Sequence, residues 1–95
     1  MPPPYNLEGN MNIQLRFFAS VREALATAQE SVTLPSHIHT IGDVRAHLRE
    51  RGGAWAEALA EGRALRMAYN QQMCDVQTMI TDGCEVAFFP PVTGG

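Results

Sequence analysis

The sequence predicts an α+β roll, in which a mixed β-sheet packs on one main helix. Three observations support this fold class. Strand-like patterns lie near both ends of the chain, at residues 12–17 and 84–89, and the clearest helical pattern, at 40–51, lies between them. At 95 residues the chain has the length of one domain. We expect the first and last strands to lie side by side in the middle of the sheet.

The first part of the fold is predicted to contain two strands joined by a short helix. Residues 12–17 alternate polar and apolar side chains, which predicts a half-buried strand with a core face made of Ile13, Leu15 and Phe17. Phe18 breaks this alternation and should point the other way. Ser20 is placed to cap a short helix at 21–26. A second strand at 30–34 should pair antiparallel with the first, because the connection between them is short.

The main helix is predicted at residues 40–51. Thr40 can cap its first turn, with Asp43 at the third helical position as a weak capping box. The apolar stripe has helical spacing and consists of Ile41, Val44 and Leu48. Arg45 falls at the edge of this narrow stripe, so we expect its side chain to extend to water. The glycine pair at 52–53 should end the helix.

The second half is predicted to contain a short helix and then three strands, at 54–59, 65–69, 73–76 and 84–89. Asn70-Gln71-Gln72 and Thr81-Asp82-Gly83 have the composition of turns. In the last strand Val86 and Phe88 should face the core, whereas Ala87 and Phe89 should lie on the opposite face.

Composition limits the class of function. The net charge is −3, all seven basic residues are arginine, and they form no stripe, so we expect no nucleic-acid partner. Residues 1–10 are rich in Pro, Asn and Gly and are predicted to form a flexible extension without the features of a secretory signal. No apolar run has membrane-spanning length. We therefore expect a cytoplasmic protein in which Cys74 and Cys84 are reduced.

Few residues in this chain are arranged to carry out covalent chemistry. His37 and His39 form an H-x-H pair, but no C-x-x-C motif accompanies them, so we predict no metal site. Ser20 and Thr93 have no evident general base. The remaining candidate is the carboxyl group of Gly95, at the end of a segment in which two prolines stiffen the base and two glycines leave the tip slim. A carboxylate must be activated before it can react, most simply by adenylation.

The run Asp-Gly-Cys-Glu-Val-Ala-Phe-Phe-Pro-Pro-Val-Thr-Gly-Gly at 82–95 resembles the C-terminus of molybdopterin synthase small subunits, a family of ubiquitin-like, β-grasp sulfur carriers. Further matches are Phe-Phe-Ala at 17–19 followed by Val-Arg-Glu at 21–23, the helix at 40–51 and the Asn-Gln turn at 70–71. The resemblance covers residues 11–95. It departs from the family pattern in the extension at 1–10 and at Cys84, where an acidic residue is more usual, which bears on the turn before the last strand.

The resemblance implies a β-grasp domain at 11–89 and an extended tail at 90–95. An E1-like adenylyltransferase would activate Gly95 with ATP, and a sulfur donor enzyme would supply the sulfur of a C-terminal thiocarboxylate. The tail would then enter the large subunit and donate sulfur to cyclic pyranopterin monophosphate, in a heterotetramer with two copies of each subunit. The tail-insertion residues are Pro90, Pro91, Val92, Thr93 and Gly94. The chain would be a non-catalytic subunit with no bound cofactor, and the catalytic residues would lie on the large subunit.

The resemblance also places a partner-binding surface around the base of the tail, at Phe18, Arg22, Met73 and Phe89. The strand alternation independently puts the two phenylalanines off the core face. Three other functions stay open on the sequence alone. The first is a ubiquitin-like protein modifier, and the second is a sulfur carrier for thiazole synthesis or thiolation. The third is an interaction domain whose C-terminal end is chemically inert.

Overall fold

The computed structural model describes residues 10–91, which form one five-stranded sheet and three helices. In chain order the elements are β1 (Met11–Phe17), α1 (Ala19–Leu25), β2 (Gln29–Leu34), α2 (Ile41–Arg49), α3 (Ala54–Ala58), β3 (Arg66–Tyr69), β4 (Gln72–Cys74) and β5 (Glu85–Phe89). Among the described helices, none has the length and apolar character needed to cross a membrane.

The sheet has the strand order β2-β1-β5-β3-β4. β1 and β5 are parallel, and every other neighbouring pair is antiparallel. The first and last strands are therefore adjacent in the interior of the sheet, and β1 pairs antiparallel with β2, as predicted. The mixed sheet with its helices confirms the α+β class.

The hydrophobic core lies between the sheet and the helices. Most of its fully buried side chains come from β1, β5 and α2, and Leu34 of β2 and Leu59 after α3 complete the set: Ile13, Leu15, Phe17, Val86, Phe88, Ile41, Val44, Leu48, Leu34 and Leu59. The rings of Phe17 and Phe88 stack with centroids 6.3 Å apart, and Trp55 of α3 meets Phe17 edge-on at 5.5 Å. The predicted core positions of all three elements are therefore confirmed.

The prediction for Arg45 is wrong, because its side chain does not extend to water. The residue is only 8 % exposed. Its Nε donates a hydrogen bond to the carbonyl of Leu59 at 2.9 Å, and its second guanidinium nitrogen donates to the carbonyls of Ala60 and Arg63. These carbonyls lie after the end of α3, where regular helical hydrogen bonding has stopped, so one guanidinium with several donors can bind them together, in addition to the Arg63 N–H that donates to the Ala60 carbonyl. Burial lowers the pKa of Arg45 from its ordinary value.

The caps of the two longer helices differ from each other. In α2, Thr40 Oγ1 accepts a hydrogen bond from the Asp43 N–H at 3.1 Å, and Asp43 Oδ2 accepts from the Thr40 N–H at 3.2 Å, which confirms the capping box. In α1 the prediction is wrong. Ser20 lies inside the helix, and the cap position is Phe18, whose side chain makes no capping bond. The Phe18 N–H donates to the carbonyl of Phe88 at 3.3 Å, so the chain passes directly from the sheet into α1.

The turn before β5 keeps its Asp-Gly chemistry despite the unusual Cys84. Asp82 Oδ1 accepts a hydrogen bond from the Asn12 N–H at 2.8 Å, and Gly83 has φ +84°, which favours glycine. The Gly83 N–H donates to the carbonyl of Asn12 at 2.7 Å. The side chain of Cys84 is buried in the core, 3 % exposed. The cysteine therefore contributes to packing and leaves the turn intact.

Candidate functional site

The C-terminal ends of β1 and β5 lie next to each other because the two strands are parallel neighbours. Phe89 is the last residue of β5, and the half-buried Pro90 and Pro91 follow it. The chain therefore leaves the sheet beside the junction between β1 and α1. The remaining predicted site residues, Val92, Thr93, Gly94 and Gly95, lie outside the described residues, as do nine of the ten residues of the predicted N-terminal extension. What was predicted for them stays a prediction.

The sheet face that the helices do not cover, the open face, is polar along β1 and β2. There β1 and β2 present short polar side chains that bond to one another in register. Ser31 Oγ donates to Gln14 Oε1 at 2.8 Å, and Thr33 Oγ1 donates to Asn12 Oδ1 at 2.5 Å. Since these groups already satisfy one another and lie exposed to water, this side of the face has little to gain from a partner.

The other side of the same face is apolar and concave. Ala68 of β3 and Ala87 of β5 are direct cross-strand partners and are buried even though they lie on the open face. Their small side chains form the floor of a groove of about 640 Å³. Apart from Gln71 and Glu85, the lining of this apolar groove consists of Phe18, Ala19, Ala68, Ala87, Phe89, Pro90 and Pro91.

Two predicted interface residues meet at the edge of the apolar groove. The rings of Phe18 and Phe89 lie edge-to-face with centroids 6.3 Å apart, and Phe18 is 39 % exposed. Aromatic side chains left exposed beside a groove are typical of protein-protein contacts. Their position off the core face agrees with the strand alternation.

The other two predicted interface residues lie further from the groove. Met73 of β4 is 59 % exposed and is the cross-strand partner of Ala68. Because Ala68 is also the partner of Ala87, the three residues form one row across β4, β3 and β5 on the same face. Arg22 is an exposed residue of α1 and does not line the groove, although its N–H bonds to the carbonyl of Phe18 at 3.2 Å. The structure thus brings Phe18 and Phe89 together, whereas Met73 on β4 and Arg22 on α1 lie outside the groove lining.

Sequence reasoning missed the groove floor and one ion pair. The same alternation that placed Ala87 on the open face puts Ala68 there, once β3 is known to start at Arg66. Arg16 and Glu85 form an ion pair at 3.9 Å at the edge of the groove. Only the register between β1 and β5 shows that these two side chains are neighbours, so no local sequence signal could have found the pair.

The turn at Asn70-Gln71 connects β3 to β4 and fixes one end of the groove. Both residues have positive φ, 49° and 70°, as a two-residue hairpin turn requires. Asn70 Oδ1 accepts a hydrogen bond from the Glu85 N–H at 2.8 Å, and its own N–H donates to the Glu85 carbonyl at 2.9 Å. The turn is therefore bonded to the start of β5, which keeps Gln71 at the groove wall.

The cysteines and the histidines of the H-x-H pair lie elsewhere. Both cysteines are free thiols, and burial raises the pKa of Cys74. His37 and His39 are exposed in the loop between β2 and α2, at the opposite edge of the sheet from Pro90. Between residues 10 and 91, no group of three or more His, Cys, Asp or Glu side chains is arranged to hold a metal ion.

Comparison with known proteins identifies the family. A model of the ThiS family matches residues 15–95. The chain is 39 % identical to the molybdopterin synthase sulfur carrier subunit of Haemophilus influenzae and 41 % identical to that of Escherichia coli. Each match spans 83 residues, which is 87 % of this chain and 99 % of the relative.

Solved structures with the same fold support the architecture. A solution structure of the Haloferax volcanii HVO 2177 protein has a TM-score of 0.74 at 26 % identity and covers 98 % of this chain and 94 % of its own. Subunits 1 and 2 of the molybdopterin-converting factor of Helicobacter pylori form a complex in which the matching chain has a TM-score of 0.57 at 28 % identity, with 90 % and 100 % covered. SAMP1 from Haloferax volcanii, at 22 % identity and a TM-score of 0.68, covers 88 % and 99 % and shares the fold. The ubiquitin-like β-grasp fold is thereby confirmed.

Proposed function

The chain belongs to the ThiS family, and we propose that it is the sulfur carrier subunit of a molybdopterin synthase. The observation that carries this proposal is the identity of 39–41 % to two curated carriers over 99 % of their length. The small archaeal modifier proteins are only 20–22 % identical to this chain, and a likeness at that level shows a common fold without showing a common function. Sulfur carriage is therefore favoured over protein modification.

The reactive group of this proposal is the carboxylate of Gly95. At neutral pH it is ionised and is a poor electrophile. An E1-like adenylyltransferase activates it: a carboxylate oxygen attacks the α-phosphorus of ATP, and pyrophosphate leaves. A persulfide on the sulfur donor enzyme then attacks the acyl carbon, and AMP leaves. A thiol next attacks the donor's sulfur in the resulting acyl disulfide, so that the S–S bond breaks, a disulfide forms on the donor side, and Gly95 leaves as a thiocarboxylate in which sulfur replaces one oxygen. The ATP is bound by the activating enzyme, and the carrier itself holds no cofactor.

The thiocarboxylate then delivers sulfur to cyclic pyranopterin monophosphate in the active site of the large subunit. Residues 90–95 enter that site, with the two prolines as a stiff base and the two glycines as a slim end. The catalytic residues belong to the large subunit, so the carrier is a substrate-like, non-catalytic subunit. The assembly is a heterotetramer with two copies of each chain. We place it in the cytoplasm, where the two free thiols stay reduced.

The apolar groove is the surface that docks the large subunit. The exposed Phe18 and the half-buried Phe89 are its aromatic anchors, and the proximity of Pro90 means that docking also fixes where the tail leaves the sheet. Met73 on β4 and Arg22 on α1 extend the contact beyond the groove lining. The complex of subunits 1 and 2 reported for the Helicobacter pylori relative supports a partner of this kind.

Intact-mass measurement tests the proposal directly. The full chain is incubated with ATP, the E1-like enzyme and a sulfur source, and its mass should increase by the difference of one O-to-S exchange. A chain lacking Gly94 and Gly95 is the matched control, because it keeps the whole described fold and loses the proposed acceptor. An unchanged mass of the full chain, with enzymes that convert a known carrier, would refute the proposal.

A further inference from the structure

Arg16 has an unusual position at the boundary between the two sides of the open sheet face. It is the β1 residue directly opposite Ala87, the floor of the apolar groove. Its guanidinium carbon lies 5.4 Å from the centroid of the Phe18 ring, and one guanidinium nitrogen lies 3.9 Å from Glu85 Oε1. A permanently charged side chain therefore borders a surface that, apart from Gln71 and Glu85, is made of alanine, phenylalanine and proline.

The hydrogen bonding of Arg16 is incomplete. Its Nε is buried and has no acceptor among residues 10–91. Its contact with Glu85 is long for a charge-assisted hydrogen bond, which is ordinarily shorter than 3 Å. A guanidinium in this state gains hydrogen bonds when it turns toward a better acceptor, because the arrangement it leaves satisfies it poorly. By contrast, Arg51 has a short, two-pronged contact with Glu30 at 2.6 and 3.0 Å and has little to gain from a new partner.

Docking on the apolar groove would also remove water from this side chain. The Arg16 side chain is 38 % exposed and that of Glu85 is 23 % exposed, so a partner that covers Phe18 and Ala87 takes solvent from the pair. A charged group that loses water without gaining an acceptor weakens binding. A partner that fits this surface must therefore bring its own acceptor to Arg16. The acceptor best matched to a planar guanidinium is a carboxylate, which accepts two parallel hydrogen bonds.

We propose that Arg16 is a specificity residue of the docking surface, and that it pairs with a carboxylate side chain of the large subunit at the edge of the apolar groove. This inference rests on the proposed function. Phe18 and the alanine floor provide apolar contact to any partner of suitable shape. Arg16, in contrast, favours a partner that places an acidic side chain opposite the guanidinium. The present contact with Glu85 holds the guanidinium near the groove until docking.

Binding kinetics with the purified large subunit test this role, with wild type, Arg16→Ala, Arg16→Lys and a Gln14→Ala control. Gln14 lies on the same face of the same strand, two residues away and outside the groove lining. Arg16→Ala should weaken binding about tenfold or more, mainly through faster dissociation, because it leaves the partner carboxylate unpaired. Arg16→Lys should recover only part of the affinity, since an ammonium cannot form the two-pronged contact. Gln14→Ala should bind like wild type.

Thermal unfolding of the same variants separates docking from folding. Arg16→Ala should unfold close to the wild-type temperature while its affinity falls. Equal affinity of Arg16→Ala and wild type would overturn the inference and leave the proposed function standing. If the wild-type chain itself does not bind the large subunit, the proposed function fails together with the inference.

Discussion

Phe88 and Phe89 are neighbours in β5, yet they lie on opposite faces of the sheet and in different surroundings. Phe88 is completely buried and stacks on Phe17 in the core. Phe89 is half-buried and meets the ring of Phe18 at the edge of the apolar groove. The same residue type thus packs in the core at one position and, in the function proposed above, contributes to a docking surface at the next. The pleat of the strand alone separates the two roles.

The largest effect is expected from truncating the buried member of this pair. Phe88→Ala should lower the free energy of unfolding by about 3–5 kcal/mol, because it removes buried apolar surface and leaves a cavity. Phe89→Ala, as the control, should lower it by about 1 kcal/mol or less, since this ring is already partly in water. Chemical denaturation measures both. Similar losses for the two variants would show that the faces of β5 are not distinct in energy.

The reverse order is expected for binding. Phe89→Ala should weaken the complex with the large subunit by about 2 kcal/mol, close to thirtyfold, because it removes an aromatic anchor of the groove. Phe18→Ala should act in the same direction, and the double variant should lose less than the sum of the two, since the rings contact each other. Calorimetric titration gives these values. Strict additivity would argue that the rings act as separate anchors.

A smaller effect is expected from filling the floor of the groove. Ala87→Leu places a larger side chain on the open face, so it should weaken binding about tenfold by a steric clash with the partner. Its free energy of unfolding should stay near wild type, because the added atoms extend away from the core. A large loss of stability would mean that Ala87 is packed as tightly as Phe88.

The smallest effect concerns the ion pair beside the core. Hydrogen bonding to Arg51 lowers the pKa of Glu30, and Arg51 also lies 4.3 Å from the ring centroid of Trp55, which packs on Phe17. An interaction that lowers the pKa of a carboxyl group in the folded state stabilises the fold at pH values above the pKa of the unfolded state. This stabilisation is lost as the pH falls through the folded-state pKa. Acidification below about pH 4.3 should therefore remove about 0.5–1 kcal/mol of stability from wild type.

A glutamine at position 30 provides the control for this pH dependence. Glu30→Gln should be less stable than wild type at neutral pH, and the difference between the two should vanish in acid. Binding through the groove should be the same in both proteins at neutral pH, because Glu30 lies on the core side of the sheet. A difference in stability that stays constant with pH would show that the carboxylate is not the source of the effect.

Local patterns were sufficient for most of the fold. Period-two alternation identified the core residues of β1 and β5, and helical spacing with a Thr40 cap identified α2. The failures at Ser20 and Arg45 have one cause: the partner lies far away in the chain. Phe18 is held in the sheet by the carbonyl of Phe88, and Arg45 by carbonyls at 59–63. Neither is visible in a window of neighbouring residues.

The sequence by itself determined the fold class, the strand alternation that places Phe18 and Phe89 off the core face, and the composition of the tail on which the proposed chemistry depends. Each of these features can be recognised from residues that are close together in the chain, as a periodic pattern, a turn motif or a run of residues. Tertiary structure decided which side chains surround the point where the chain leaves the sheet after β5. The parallel pairing of β1 with β5 brings Phe18, Arg16 and Ala87 together, and the hairpin of β3 and β4 adds Ala68. The groove and its charged edge arise from strand register, which joins residues about 70 positions apart in the chain and has no local signature.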